Sequence, residues 1–156
     1  MNTMNTNNDT MTVEMKRAGL LASWLGCEAS EIEEARLDFH GLTIFETPEG
    51  QFAVGNDEEC NAAVSSNIED SVWAFRAEFI CEYCGLPQDF AEVIRAWQEK
   101  KCEGANAALV SIVCAMSHWD AFVRFAVQAD GRGHFLASYD GDEIELGGNV
   151  YAYRVG

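Results

Sequence analysis

The residues most able to do chemistry are concentrated in the last part of the chain. Seven polar side chains recur there at short spacings: Asp130, Arg132, His134, Tyr139, Asp140, Glu143 and Arg154. A guanidinium binds carboxylates and phosphates through a planar set of donors, and an imidazole titrates near neutral pH. Arg132 also lies between two glycines, which allow a partner to approach the backbone. The segment therefore predicts a small-ligand site, or an enzyme, centred on four of these residues: Arg132, His134, Tyr139 and Glu143.

The same segment has a structural explanation, and the sequence leaves both open. Arg132 and Arg154 can form ion pairs with neighbouring Asp and Glu side chains, and His134 can donate to a turn carbonyl. No stretch carries a nucleophile elbow, a phosphate-binding loop or a metalloprotease signature. An enzyme is therefore the less favoured interpretation, and no cofactor is predicted.

A pair of cysteines in CEYCGLP has the spacing of a zinc knuckle. A structural zinc needs four ligands. The chain can supply four candidates: Cys81, Cys84, Cys114 and His118. Against a zinc-stabilised module, thiols at the end of an amphipathic helix pack well as small buried side chains. The neighbouring Glu78 and Glu82 disfavour a thiolate and hence a redox pair. Zinc is therefore the weaker interpretation.

The chain is strongly acidic, with 26 Asp and Glu against 10 Lys and Arg and a net charge of −16. Residues 28–59 hold ten acids and one base, a net charge of −9 for this part alone. Such a field repels phosphate backbones and attracts basic surfaces, including those with which enzymes hold DNA or RNA. A surface that only promotes solubility is the alternative. The acids predicted to contact a basic partner are Glu31, Glu33, Glu34, Glu58 and Glu59.

Three stretches carry a resemblance to known proteins: QFAVGNDEECNAAVSSNIEDSVWAF, CEGANAAL and DGRGHFLASYDGDEIELGGNVYAYR. Over roughly residues 50–156 the chain resembles small acidic proteins of bacteriophages and other mobile elements, most specifically in its DGRGH…YDG…YxYR ending. The resemblance implies a mobile-element origin and a shared C-terminal sheet, and it assigns no catalytic residue. Together with the acidity, it predicts an accessory protein that binds a host protein with a basic surface, such as a restriction or CRISPR nuclease. Direct binding of nucleic acid is not predicted.

Helices and strands must position these residues. Apolar residues at helical spacing predict helices over 12–25 and over 57–84, the latter capped by Asn56 with Glu59 and broken near 65–67. ANAALVSIVCAM predicts a central buried helix. LTIFE and QFAVG, joined by TPEG, predict a hairpin over 42–54. Residues 134–139, 142–146 and 150–155, separated by DG and GGN, predict a three-stranded antiparallel meander. The fold class is therefore α+β, with several packed helices and a small antiparallel sheet.

The beginning of the chain, MNTMNTNNDT, is polar and low in complexity. It predicts a disordered tail over 1–10, followed by a single α+β domain over 11–156. The tail lacks the apolar block of a secretory signal, and no stretch reaches the roughly 18 apolar residues of a membrane span. We therefore predict a cytoplasmic protein with reduced cysteines and no membrane partner.

Overall fold

The computed structural model describes residues 11–116 and 118–156 and has the predicted α+β fold. The predicted tail over 1–10 lies outside the described residues. The helices are α1 (Val13–Leu25), α2 (Asp57–Ser71), α3 (Ala77–Cys84), α4 (Ala91–Lys101), α5 (Asn106–Ala115) and α6 (Trp119–Leu136). The strands are β1 (Glu33–Phe39), β2 (Leu42–Thr47), β3 (Gly50–Asn56), β4 (Glu143–Gly147) and β5 (Val150–Arg154). Within the described residues, no single helix is both long enough and apolar enough to cross a membrane.

All 5 strands form one antiparallel sheet with the order β1-β2-β3-β5-β4. The predicted hairpin over 42–54 is confirmed, because β2 and β3 pair in register from Thr43 opposite Val54 to Thr47 opposite Gly50. β3 also pairs with β5. The C-terminal strands therefore extend this hairpin instead of forming a sheet of their own, and β1 and β4 are left at the two edges.

The predicted C-terminal meander is wrong in its first strand. Residues 134–139 are not extended, since α6 continues to Leu136 and β4 begins only at Glu143. The C-terminal unit is therefore a two-stranded hairpin of β4 and β5, and Asp140–Gly141 turns the chain between α6 and β4. Leu136 is fully buried in the core. Burial of this side chain on a helix outweighs the strand propensity of HFLASY, because tertiary packing overrides local preference.

The sheet separates two hydrophobic clusters. On one face, Leu21 and Ala22 of α1 pack with Phe45, Phe52 and Ala152 of the strands. The opposite face packs on the remaining helices through strand residues that alternate with these: Leu42, Ile44, Ala53 and Tyr153. This two-sided burial follows from the alternation of side chains along each strand. The inner strands β2, β3 and β5 are therefore the most buried, whereas β1 is largely exposed along its length.

α2 lies against the sheet, and its predicted cap is confirmed. The Asn56 side chain accepts a hydrogen bond from the Glu59 N–H over 2.8 Å, and the Glu59 carboxylate accepts one from the Asn56 N–H over 2.9 Å. The predicted break near 65–67 is wrong, because α2 is continuous there. The side chains of Ser66 and Asn67 instead contact the two ring nitrogens of His40, at 3.0 and 3.4 Å. They therefore do not compete with the backbone bonds of the helix.

The prediction that ANAALVSIVCAM forms the central buried helix is also wrong. Only Leu109 and Val113 of α5 are fully buried. α2 and α6 contact the strands and occupy the centre of the helical layer. α5 packs on its neighbours through one side, because the places next to the sheet are already filled.

Candidate functional site

The structure divides the seven C-terminal candidates into separate groups. These groups are Arg132 with Glu143, Tyr139 with Arg154, and Asp130 with His134, while Asp140 lies in the turn before β4. In that turn the Asp140 side chain accepts a hydrogen bond from the N–H of Asp142 over 3.0 Å. The chemistry available to each group therefore has to be considered by itself.

Arg132 is the centre of a set of polar side chains that we call the Arg132 network: Arg132, Glu143, Asp57, Asn61 and Tyr153. The guanidinium donates from Nε and Nη2 to the two oxygens of Glu143, over 2.7 and 3.1 Å. Its Nη1 donates to Asp57 over 2.7 Å and to Asn61 over 3.0 Å. The hydroxyl of Tyr153 donates to Glu143 over 2.5 Å. Because its members come from α2, α6, β4 and β5, the network holds the helical layer on the sheet.

Burial and pairing shift the pKa values within the Arg132 network. Burial alone would lower the pKa of Arg132, but its hydrogen bonds to Glu143 and Asp57 outweigh this effect and raise that pKa. Burial alone would raise the pKa of Glu143, but the bonds from Arg132 and Tyr153 hold it below its ordinary value. Burial and the bond to Glu143 raise the pKa of Tyr153. Each group is thus held in its ordinary charge state at neutral pH, which suits a structural role better than proton transfer.

Two glycines place Arg132 in this network. Gly131 adopts φ 80° and ψ 158° inside α6, which bends the helix next to Arg132. Gly133 lies against the turn before β4, where an added Cβ would be 2.4 Å from the carbonyl oxygen of Gly141. The predicted close approach to the backbone is therefore made at Gly133, and by the chain itself.

The predicted ligand site around Arg132, His134, Tyr139 and Glu143 is not assembled. Arg132 and Glu143 bind each other, and Tyr139 lies under Arg154, whose guanidinium carbon is 4.0 Å from the ring centroid. Arg154 also donates to the carbonyl of Glu49 over 2.6 Å. The predicted ion pairs with neighbouring acids therefore form at Arg132, whereas Arg154 contacts a ring and a backbone carbonyl and its buried Nε has no hydrogen-bond partner among the described residues. His134 lies apart from them, on a cavity that it shares with Asp130.

Sequence reasoning misses three members of the Arg132 network: Asp57, Asn61 and Tyr153. Asp57 and Asn61 stand one helical turn apart, and that spacing is the only local signal that they act together. Asp57 is 75 residues from Arg132 in the sequence. Since no motif connects positions so far apart, only the packing of α6 on α2 could reveal their contact.

The cysteine set considered for zinc is divided between the core and the surface. Cys81 and Cys84 are buried, whereas Cys114 and His118 are exposed. Burial raises the pKa of Cys84 to about 11, so this thiol stays protonated at neutral pH. Within residues 11–116 and 118–156, no group of three or more metal-ligating side chains is close enough to hold an ion. The pair fits the alternative of small buried side chains.

Four carboxylates surround one end of the sheet, and we call them the acidic rim: Glu31, Glu33, Glu34 and Glu46. All four are exposed, at the end of the sheet where β1 begins and β2 ends. Glu33 lies directly opposite Glu46, and Glu31 borders the same shallow depression of about 280 Å³. Glu34 lies opposite Phe45, so its side chain is on the other face of the sheet at the same end. Among the described residues, no member of the rim takes part in an ion pair.

The other two predicted contact acids lie away from the acidic rim. Glu59 accepts a hydrogen bond from Arg17 over 2.7 Å in addition to its capping bond, so its charge serves the fold. Glu58 is exposed in the first turn of α2, beyond Asn56. In β3, Asn56 is five residues past Gln51, the partner of Glu46, a separation of about 17 Å along the strand. The five predicted acids therefore do not form one continuous surface.

No family model, curated protein or solved structure matches the chain. The resemblance to proteins of bacteriophages and mobile elements therefore stays a prediction. Two arrangements bear on function. In the Arg132 network each charge has a partner of opposite sign, whereas the carboxylates of the acidic rim form no ion pair among the described residues.

Proposed function

We propose that this protein is an accessory factor of a bacteriophage or another mobile element and acts in the host cytoplasm. It binds a host protein through the acidic rim. The partner presents a basic surface of the kind with which nucleases hold DNA or RNA, and a restriction or CRISPR nuclease has this chemistry. Occupation of that surface inhibits the nuclease.

The observation that carries the proposal is the position of Glu33 opposite Glu46. Like charges that face each other on neighbouring strands destabilise a sheet, by about 0.2–1 kcal/mol. Gln51, next in the same row, donates to Glu46 over 3.2 Å but brings no positive charge. A basic partner relieves this repulsion, so the two carboxylates become favourable only in a complex.

Protection of the sheet edge explains only part of the acidic rim. Charged side chains on edge strands prevent pairing with another chain, and this accounts for Glu33 and Glu34 on β1. Glu46 lies on β2, which is paired on both sides. Its charge protects no edge, and the pairing with Glu33 therefore favours an interaction surface.

The net charge of the chain determines what kind of partner the rim accepts. The net charge of −16 produces a field that repels nucleic acid and attracts the basic groove of an enzyme. Attraction between opposite fields speeds association at low ionic strength and weakens as salt screens it. Inhibition of the nuclease should therefore be strongest at low salt.

The proposal is tested by DNA cleavage with purified restriction and CRISPR nucleases of the host. A rim variant carries the four substitutions Glu31→Gln, Glu33→Gln, Glu34→Gln and Glu46→Gln. Gln keeps the hydrogen bond that Glu31 accepts from the Glu28 N–H and removes only charge. We expect the unsubstituted protein to inhibit one nuclease. The rim variant should need a roughly 100-fold higher concentration for the same inhibition, because each ion pair lost between the rim and the nuclease lowers the binding free energy by about 1 kcal/mol or less.

A matched control removes the same number of charges from the helices. It carries Glu69→Gln, Glu82→Gln, Glu99→Gln and Glu103→Gln, all at exposed positions. We expect this variant to inhibit nearly as well as the unsubstituted protein. Equal losses in the two variants would show that net charge acts without a defined surface. An absence of inhibition at low salt would overturn the proposal.

A further inference from the structure

A cavity of about 510 Å³ opens between α2, α6 and the turn that leads into α3. Its lining includes the rings of Phe75, Phe79 and Phe135. These rings pack against the main hydrophobic cluster but are only partly buried. Small organic ligands occupy cavities of this size, and a ligand that covers exposed aromatic rings gains hydrophobic free energy.

Opposite charges line the same cavity. Arg76 and Asp130 both border it, together with His134. Among the described residues, neither Arg76 nor Asp130 forms an ion pair. Arg132, only two residues after Asp130, binds two carboxylates. The chain therefore uses one neighbouring charge for its fold, whereas Arg76 and Asp130 are exposed and stay outside the ion pairs of the described residues.

We propose that this cavity binds a small zwitterion with an aromatic group, of the size of a free aromatic amino acid. The ring of the ligand covers the phenylalanine rings, its carboxylate binds the guanidinium of Arg76, and its ammonium group binds Asp130. Guanidinium and carboxylate match each other as paired donors and acceptors.

Polar groups of α2 complete the site. The hydroxyl of Ser71 donates to the Asn67 carbonyl over 2.8 Å, which leaves its oxygen able to accept a further hydrogen bond. A zwitterion has no net charge. The net charge of −16 on the protein therefore does not oppose its binding, whereas it opposes the binding of an anion. None of the residues of the acidic rim lines this cavity. The inference therefore does not depend on the proposed binding of a nuclease.

The probes for the test are L-phenylalanine and three analogues that each lack one group. Phenethylamine lacks the carboxylate, 3-phenylpropanoate lacks the amine, and L-alanine lacks the ring. Binding is followed by titration of the ¹⁵N-labelled full chain, through the amide shifts of the cavity residues. We expect saturable binding of L-phenylalanine, with each analogue bound at least about tenfold more weakly, since the loss of a charge-assisted hydrogen bond or of a buried aromatic ring has about that effect.

Two single variants separate the two charged contacts. Arg76→Gln should weaken L-phenylalanine and 3-phenylpropanoate by about tenfold and leave phenethylamine unchanged. Asp130→Asn should do the reverse, weakening L-phenylalanine and phenethylamine only. Arg36→Gln and Asp89→Asn, at exposed positions elsewhere, are the matched controls and should change nothing.

Three results would overturn the inference. The first is an absence of saturable shifts with L-phenylalanine, which would make the cavity a water-filled cleft. The second is equal binding of all four probes. The third is binding of L-phenylalanine that neither Arg76→Gln nor Asp130→Asn changes.

Discussion

The two edges of the sheet carry the same kind of side chain and use it in opposite ways. At the β4 edge, Glu143 accepts hydrogen bonds from Arg132 and Tyr153. At the β1 edge, Glu33 faces another carboxylate, that of Glu46. A glutamate therefore stabilises this fold where the tertiary structure brings a cation to it, and faces another carboxylate where it does not.

The supply of cations explains the difference. The chain has 10 Lys and Arg for 26 Asp and Glu, so most acids have no cation to pair with. Arg132 is only 10% exposed and is bound on two sides, and Arg17 of α1 is bound to Glu59. With these arginines committed to the fold, the accessible surface is dominated by unpaired acids.

The largest effect on stability is expected at the β4 edge, where Arg132 pairs with Glu143. Arg132→Gln leaves Glu143 and Asp57 without their cation in a partly buried place, and we expect a loss of about 3 kcal/mol in the free energy of unfolding. Urea denaturation measures it. Arg36→Gln, on the exposed β1 edge, is the control and should change the stability by less than about 0.5 kcal/mol. A loss below about 1 kcal/mol for Arg132→Gln would contradict the importance given to the network.

A smaller effect is expected from Tyr153. Tyr153→Phe removes one hydrogen bond to Glu143 and should lower the stability by about 1–2 kcal/mol at pH 7. The folded protein raises the pKa of Tyr153, so the neutral phenol stabilises the fold below the ordinary pKa of 10.0 and this contribution is lost as the pH rises above it. The unsubstituted protein should therefore lose stability in alkali more steeply than Tyr153→Phe does. Parallel alkaline curves from circular dichroism would exclude this role.

Acid should weaken the same edge through Glu143. The pKa of Glu143 is lowered in the folded protein, so its contribution is present above the ordinary value of 4.5 and is lost as the pH falls through the folded value. We expect Glu143→Gln to be less stable at pH 7 and to lose less stability than the unsubstituted protein between pH 4.5 and about pH 3. Urea midpoints at each pH measure the difference, and an unchanged slope for the variant would count against the pairing.

The smallest effect is expected at the β1 edge, where Glu33 lies opposite Glu46, and it is a gain in stability instead of a loss. Glu33→Gln removes the repulsion with Glu46 and should raise the stability by about 0.5 kcal/mol at low salt. The gain should shrink at about 1 M salt, where charges are screened within a few ångströms. Glu46→Gln should give the same gain, and the double variant should not exceed the sum of the two. A loss of stability in either single variant would show that these carboxylates already have a partner within the fold.

Local elements of the fold are predictable from nearby residues. The capping box of Asn56 and Glu59 and the hairpin around Pro48 and Glu49 depend on residues within a few positions of one another, and both are confirmed. The third C-terminal strand is wrong because the end of α6 is determined by the burial of Leu136. Strand propensity and an Asp-Gly pair describe only the local preference, which this burial outweighs.

The candidate sites also combine features that the sequence predicts with contacts that only the tertiary structure determines. The sequence indicates that Arg132, Glu143, Asp130 and His134 are unusual, but not which of them meet. It also identifies Glu31, Glu33 and Glu34 as part of an acidic stretch. It does not connect them with Glu46, which belongs to the next strand and lies opposite only because of the β1–β2 register.

By itself, the sequence determines the acidic character of this protein, its α+β class and the caps and turns of several elements, because these depend on composition and on contacts between near neighbours. Only the tertiary structure decides which charges pair with a charge of opposite sign. The packing of α6 on α2 brings Arg132 to Asp57 across 75 residues of chain, and the strand order places Glu33 against Glu46. Charges act through distance in space, and for residues far apart in the chain the fold alone sets that distance.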